Sequence, residues 1–276
     1  PAIRGPYHSR PIDEIVAEAK WLQDQGTREL ILVSQDTSWY GRDQGSNLMT
    51  VLETLLDSTE FPWIRMMYLH PAHVGDDLLH LVASQPRLCP YFDIPMQHVA
   101  DPILEGMKRR PLSQGLRDLV ERIRAIVPDP AIRTSFIVGF PGETEAHFRE
   151  LIEFVEWARF DKLGIFPFSP EEGTPAMAMK SRPRTATAQR RAETLMDVQR
   201  AVSRDRLASR IGKTVDVIID GVSEDPDFHF ESRTRWDAPE VDGKVLIADG
   251  SFDIGSIVPV KLVDAGDYDL YALPVR

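Results

Sequence analysis

Ile132-Arg133-Thr134-Ser135-Phe136-Ile137-Val138 runs without a break into Gly139-Phe140-Pro141-Gly142-Glu143-Thr144. An apolar strand, a tight turn of two glycines and a proline, and then Phe148, Leu151, Ile152 and Val155 at helical spacing make one strand–turn–helix unit. The unit repeats upstream. A helix with Ile12, Ile15, Val16, Ala19 and Leu22 on one face ends near Gly26, and Leu30-Ile31-Leu32-Val33 follows as a continuous apolar run. Such a run predicts a strand buried on both faces. Leu48, Val51, Leu52 and Leu55 lead to a strand at residues 64–68, and Leu78, Leu81 and Val82 lead to one at 91–94. Leu116, Leu119, Val120 and Ile123 precede the quoted strand, and the helix after it leads to residues 163–168. Five strands alternating with helices specify an α/β fold with a parallel sheet, open or curled into a partial (β/α) barrel.

Beyond a polar stretch at residues 179–189, a long helix carries Ala192, Leu195, Met196, Gln199 and Val202 on its inner side and runs to about residue 209. From Ile211 the period shortens to two. Short runs at 215–219, 245–248, 257–262 and 268–273 are separated by Gly and Asp turn signals. They predict a small antiparallel β-barrel, OB-like in size. The chain thus divides into residues 1–209 and 210–276. Its net charge is −11, and residues 211–276 hold fourteen Asp or Glu against six Lys or Arg. Acidity of that kind argues against strong nucleic-acid or membrane binding and suits a basic partner. No apolar run approaches the ~18 residues of a membrane span and no signal-peptide pattern opens the chain, so a cytoplasmic protein is expected. The start at Pro1-Ala2-Ile3-Arg4-Gly5-Pro6, without an initiator Met, reads as that of a fragment.

In parallel α/β barrels, function collects where strands end and loops begin. Four such ends are polar or turn-forming: Ser34-Gln35-Asp36-Thr37, Pro95-Met96-Gln97-His98, the Gly139 to Thr144 turn, and Ser169-Pro170-Glu171-Glu172-Gly173-Thr174-Pro175. The two glycines either let backbone N–H groups approach a flat ligand or simply turn the chain into a capped helix. His98 is either catalytic or a structural hydrogen-bonding group. His70 and His73 are spaced i,i+3 without a carboxylate or third ligand beside them in sequence, so they read as loop and no metal site is expected. Lys108, Arg109 and Arg110 read as a solvated helix end. Cys89, the one cysteine, excludes a disulfide, a CxxC zinc site and a cluster held by three cysteines of this chain; before Pro90 it reads as a small core residue.

The quoted strand and turn resemble those of the radical S-adenosylmethionine (SAM) methylthiotransferases, as does Ile3-Arg4-Gly5 followed by Ser9-Arg10. Ser34 to Thr37, Tyr91-Phe92-Asp93-Ile94-Pro95-Met96-Gln97-His98 and Ser169 to Gly173 resemble the RimO branch of that family. Arg235-Trp236-Asp237-Ala238-Pro239-Glu240-Val241-Asp242-Gly243 and Asp267-Tyr268-Asp269-Leu270 resemble its C-terminal TRAM domain. The resemblance implies a parent enzyme with SAM and two four-iron, four-sulfur clusters, whose cysteines would lie upstream of Pro1; this chain ligates none of them and by itself is expected to be inactive. It implies a radical reaction, fed by a reductant, that adds a methylthio group to the β-carbon of an aspartate of a basic small-subunit ribosomal protein. Carried over residue by residue, it places SAM against Gln35, Asp36, Gln97, Ser135, Gly139, Phe140 and Gly142, with His98 and Arg133 as further candidates and Arg4 and Arg10 flanking the cluster loop. Substrate docking falls to Trp236, Asp237, Glu240 and Asp242. Two other readings stay open: a tRNA methylthiotransferase of the MiaB type, which would want a basic small domain, and a non-catalytic module that binds SAM or the ribosome.

Overall fold

The repeat of strand and helix becomes two layers in a computed structural model that describes residue 5 and residues 7–275. In order come α1 (Ile12–Asp24), β1 (Glu29–Leu32), α2 (Leu48–Ser58), β2 (Trp63–Met66), α3 (Asp76–Ser84), β3 (Tyr91–Asp93), α4 (Asp101–Gly106), α5 (Ser113–Ile126), β4 (Ala131–Val138), α6 (Glu145–Ala158) and β5 (Lys162–Pro167). β1 pairs with β2 in parallel, and β3, β4 and β5 pair in parallel. Backbone bonds from Ile64 N–H to Arg87 O (2.8 Å) and from Cys89 N–H to Ile64 O (2.9 Å) bridge the two groups. The strands therefore lie side by side in chain order, as short helical crossovers require. α4 was not legible, because six residues are too few to show a period.

Side-chain alternation sorts this sheet into two faces. Leu30, Leu32, Ile64, Met66, Phe92, Ile132, Phe136 and Val138 join the helices in the main core. Glu29, Ile31, Trp63, Arg65, Tyr91, Arg133, Ser135 and Lys162 occupy the alternate positions. The run Leu30 to Val33, expected to be covered on both faces, is so only in part: Ile31 packs against Trp63, Met67 and Tyr91 on the inner face, while Val33, one residue past the strand, remains 63% exposed.

α7 (Thr185–Ala208) leads to β6 (Thr214–Val222), β7 (Phe230–Thr234), β8 (Val245–Ile247), β9 (Ile257–Ala265) and β10 (Leu270–Pro274). These five strands close into a barrel in the order β10-β8-β7-β6-β9. β10 and β8 are parallel and the other neighbours antiparallel. A ring with an odd number of strands cannot alternate direction all the way round, so one parallel contact is forced. β7 escaped the periodicity reading because its inward positions after Phe230 are polar: Ser232 is buried and its hydroxyl donates to Val245 O at 2.8 Å.

The small barrel seats on the first residue of every parallel strand. Arg233 pairs with Glu29, and Ile218 and Ala238 pack with Trp63, Tyr91 and Ala131. Lys162 Nζ lies 2.7 Å from Asp237 Oδ1. Behind this layer buried Arg65 holds Glu29 at 2.8 Å and donates to Arg235 O at 3.0 Å. The seam corrects the docking role read for the segment around Trp236. Asp237 is 3% exposed and also accepts from the Thr234 hydroxyl at 2.5 Å. Asp242 accepts the Tyr91 hydroxyl at 2.6 Å and lies 3.5 Å from Arg133. Trp236 donates from its indole to Asp129 O at 2.9 Å, with the Arg210 guanidinium 4.0 Å above its ring. The two carboxylates are buried because each answers a cation or donor of the larger domain, and Trp236 is half-buried beside them. Glu240 alone of the four is exposed.

Candidate functional site

With the strand starts covered, the opposite ends of the strands remain open, and there the predicted site residues divide. Gln97, just past β3, has φ +71°, a conformation that a residue with a Cβ adopts only when its surroundings impose it. What imposes it is an added rung on β4: Gln97 N–H donates to Ser135 O and Ile137 N–H donates to Gln97 O, both at 2.8 Å. The residue lines a cavity of about 280 Å³ with Ile137, Phe140, Met107, Arg109 and Pro175. Phe140 is buried against Ala100 and Ile103 and meets the Phe168 ring edge-on at 5.1 Å. Ser135 sits on the inner face of β4 beside Gly164 of β5. A Cβ on Gly164 would lie 3.8 Å from Ser135 Cβ and 3.2 Å from the Phe166 ring. The missing side chain leaves a shallow groove floored by Ser135 and walled by Phe166, which is 57% exposed. An apolar wall, an exposed aromatic face and a few polar groups fit an adenosine-like ligand.

Gly139 and Gly142 do something else. Both have positive φ, +80° and +88°, so the turn does require glycine. The Gly139 N–H is taken by the Glu143 carboxylate, however, and the Gly142 N–H donates to Ser181 O at 3.0 Å. Neither amide is free for a ligand, which corrects the expectation of backbone contacts from these two positions. A Cβ on Gly139 would stand 2.4 Å from Ala188 Cβ of α7; close packing of that helix is what the glycine permits.

Glu143 and Arg191 were missed by the sequence reading. The buried Glu143 carboxylate lies 3.4 Å from Arg191 and 3.7 Å from His98 Nε2. His98 accepts the Ala100 N–H on Nδ1 at 3.0 Å, so its neutral form carries the proton on Nε2, aimed at Glu143. It is fully buried behind the turn, the structural alternative of the two weighed above. The available signal was a carboxylate four residues after a turn glycine, spaced to fold back on it.

The remaining candidates are dispersed. Gln35 is exposed at the end of β1. Asp36 turns away to His73, whose Nδ1 is 2.9 Å from Asp36 Oδ2. Arg133 is held by Asp93 at 2.7 Å at the seam. Arg10 pairs with Glu18 at 2.5 Å; Arg4 lies outside the described residues. Cys89 is fully buried, and burial pushes its thiol above the usual range, an unreactive setting.

The model of the radical SAM superfamily matches residues 1–155, and that of the TRAM domain matches residues 211–275. The chain belongs to the radical SAM superfamily. It is 43% identical over 272 residues to the ribosomal protein uS12 methylthiotransferase RimO of Pelobacter propionicus, covering 98% of this chain and 60% of that protein. The protein of that name from Syntrophus aciditrophicus is 45% identical over 276 residues, covering 99% and 61%; that from Aquifex aeolicus is 44% identical over 275 residues, covering 98% and 63%. The chain therefore spans about three-fifths of the length of these relatives. Among solved structures, coproporphyrinogen III oxidase from Escherichia coli, a radical SAM enzyme, aligns with a TM-score of 0.52 at 17% identity, over 68% of this chain and 45% of that one. That likeness supports the radical SAM fold alone, and the closed five-stranded barrel coincides with the TRAM match.

Proposed function

We propose that this chain is the catalytic barrel and TRAM domain, residues 1–209 and 210–276, of a methylthiotransferase that modifies the small-subunit ribosomal protein uS12. The observation that carries the reading is identity of 43–45% over nearly the whole chain with proteins of that name. It extends across both barrels, covering 98–99% of this chain.

The groove fits SAM. Gln97 and Ser135 supply polar contacts, Ile137 and Phe166 the apolar walls, and Gly164 the room, while Phe140 backs the cavity from behind. SAM, once bound and reduced through a cluster, supplies the radical chemistry and the methyl group; the chain's own work is to bind, orient and keep water out. The iron–sulfur clusters do not fit this chain's residues, since its one cysteine is buried and such clusters are held by several thiolates. No step is assigned to Cys89.

A basic ribosomal protein is the partner that the acidic small barrel favours over tRNA. With Asp237 and Asp242 spent on the seam, the exposed acids that remain on that barrel include Glu224, Asp225, Asp227 and Glu240. No helix among the described residues is long and apolar enough to cross a membrane; the ribosomal substrate proposed here is what favours a cytoplasmic reaction. The test uses the complete protein carrying this chain, with its clusters rebuilt under anaerobic conditions, offered uS12 and tRNA side by side. A methylthio group on a uS12 aspartate supports the proposal. Modification of tRNA alone, or of neither with SAM still cleaved, refutes it.

A further inference from the structure

We infer that Asp36, His70 and His73 form a binding site for one divalent first-row transition ion, of which zinc is the representative, at the open end of β1 and β2. The inference is independent of the SAM groove and of the uS12 reading. In sequence the two histidines looked like a loop without a third ligand; the fold supplies one, because parallel neighbours β1 and β2 bring their C-terminal ends together. One donor atom from each of the three residues lies within 4.8 Å of the others. Asp36 Oδ2 and His73 Nδ1 are already 2.9 Å apart, and the two imidazole rings are 4.7 Å apart between centroids. Two imidazoles and one carboxylate form a three-ligand set that leaves coordination positions open, a donor set suited to zinc and its neighbours.

The surroundings orient these ligands. The Ser38 hydroxyl donates to Asp36 Oδ1 at 2.5 Å and accepts the His70 backbone N–H at 2.9 Å. One side chain thus ties the carboxylate to the backbone of the first histidine, leaving Oδ2 for the ion. The Trp39 ring lies 4.4 Å from the His73 ring and limits its rotation. Outer partners of this kind are what metal sites use to fix ligand direction. His70 caps the turn Pro71–His73 by accepting Ala72 N–H on Nδ1 at 3.2 Å. Binding an ion through either ring nitrogen gives up that long bond, a loss of one weak interaction against a new metal bond. All three residues are partly exposed, so an ion can enter.

The test is titration of the 276-residue chain, purified in the presence of chelator and then freed of it, with zinc by calorimetry and with cobalt by visible absorption. The expected result is one equivalent bound, with cobalt giving the ligand-field bands of nitrogen and oxygen coordination. Asp36→Asn, His70→Ala and His73→Ala should each weaken binding at least ~10-fold, since even outer-sphere losses reach that size. His80→Ala, an exposed histidine elsewhere on α3, should leave it unchanged. Circular dichroism and a thermal melt establish that each variant is folded. Absence of one-equivalent binding, or binding equally strong in the folded His70→Ala and His73→Ala proteins, overturns the inference.

Discussion

Replacing Gly139 by alanine separates the packing role of the turn from any role in ligand contact. A residue with a Cβ at φ +80° loses about 1–2 kcal/mol through its backbone conformation. The added methyl would also stand 2.4 Å from Ala188 Cβ, and overpacking of this sort costs about 1–3 kcal/mol. Gly139→Ala should therefore destabilise the chain by about 2–5 kcal/mol. Gly142→Ala is the internal control: φ is +88° but nothing lies within 4 Å of the new Cβ, so only the backbone part, about 1–2 kcal/mol, applies. Urea unfolding followed by circular dichroism measures both. Adding Ala188→Gly to Gly139→Ala should recover the steric part, once compared with Ala188→Gly alone, which itself removes about 1 kcal/mol of helix propensity. Equal losses at Gly139 and Gly142, with no recovery from the second substitution, would refute the claim that α7 packing is what demands glycine at residue 139.

Asp237→Asn should destabilise the chain by about 3–5 kcal/mol, because it strands a buried Lys162, whereas the double replacement Lys162→Met with Asp237→Leu should cost much less; urea midpoints of the three proteins check this. The same pair sets a pH dependence. Burial raises the Asp237 carboxyl, but the Lys162 ammonium and hydrogen bonds outweigh it and hold the group below its ordinary range. The unfolded chain then binds the proton more readily, so this contribution is present at neutral pH and is lost as pH falls through the carboxylate range; the loss should be absent in the double variant. Offered iron and sulfide without oxygen, the 276-residue chain should form no stoichiometric four-iron cluster, and Cys89 should react with a thiol reagent only on unfolding. An iron assay showing about four irons per chain would contradict the first, and rapid labelling of the native protein the second.

Much of the architecture was legible because it rests on periodicity. Helices α1, α2, α5 and α6 bury regular apolar stripes, and strands such as β1 and the end of β4 are apolar runs, so their order alone implied the parallel sheet. β7 and α4 were not legible, one having a polar interior and the other being too short to repeat. Gln97 and Phe140 could be placed from sequence beside strand ends, and the fold brings those two to one cavity. The site was misread where a residue's role depends on a distant partner. Asp237 and Asp242 look like a solvated acidic turn until Lys162 and Tyr91, far back in the chain, are brought against them. Gly139 looks like a ligand contact until Glu143 folds back on its amide. Asp36 gains two histidines only when β1 and β2 lie side by side.

We propose that the groove beside Gly164 serves methylthiolation of uS12. The most direct measurement is tandem mass spectrometry of uS12 from cells that lack their own RimO and carry the complete reading frame encoding this chain, either unaltered or with Gly164→Val. A methylthio-aspartate is expected on uS12 with the unaltered protein, and its loss with the equally abundant, folded variant, because the valine fills the space between Ser135 and Phe166. Unmodified uS12 in cells making the unaltered protein, or full modification by Gly164→Val, would contradict the proposal.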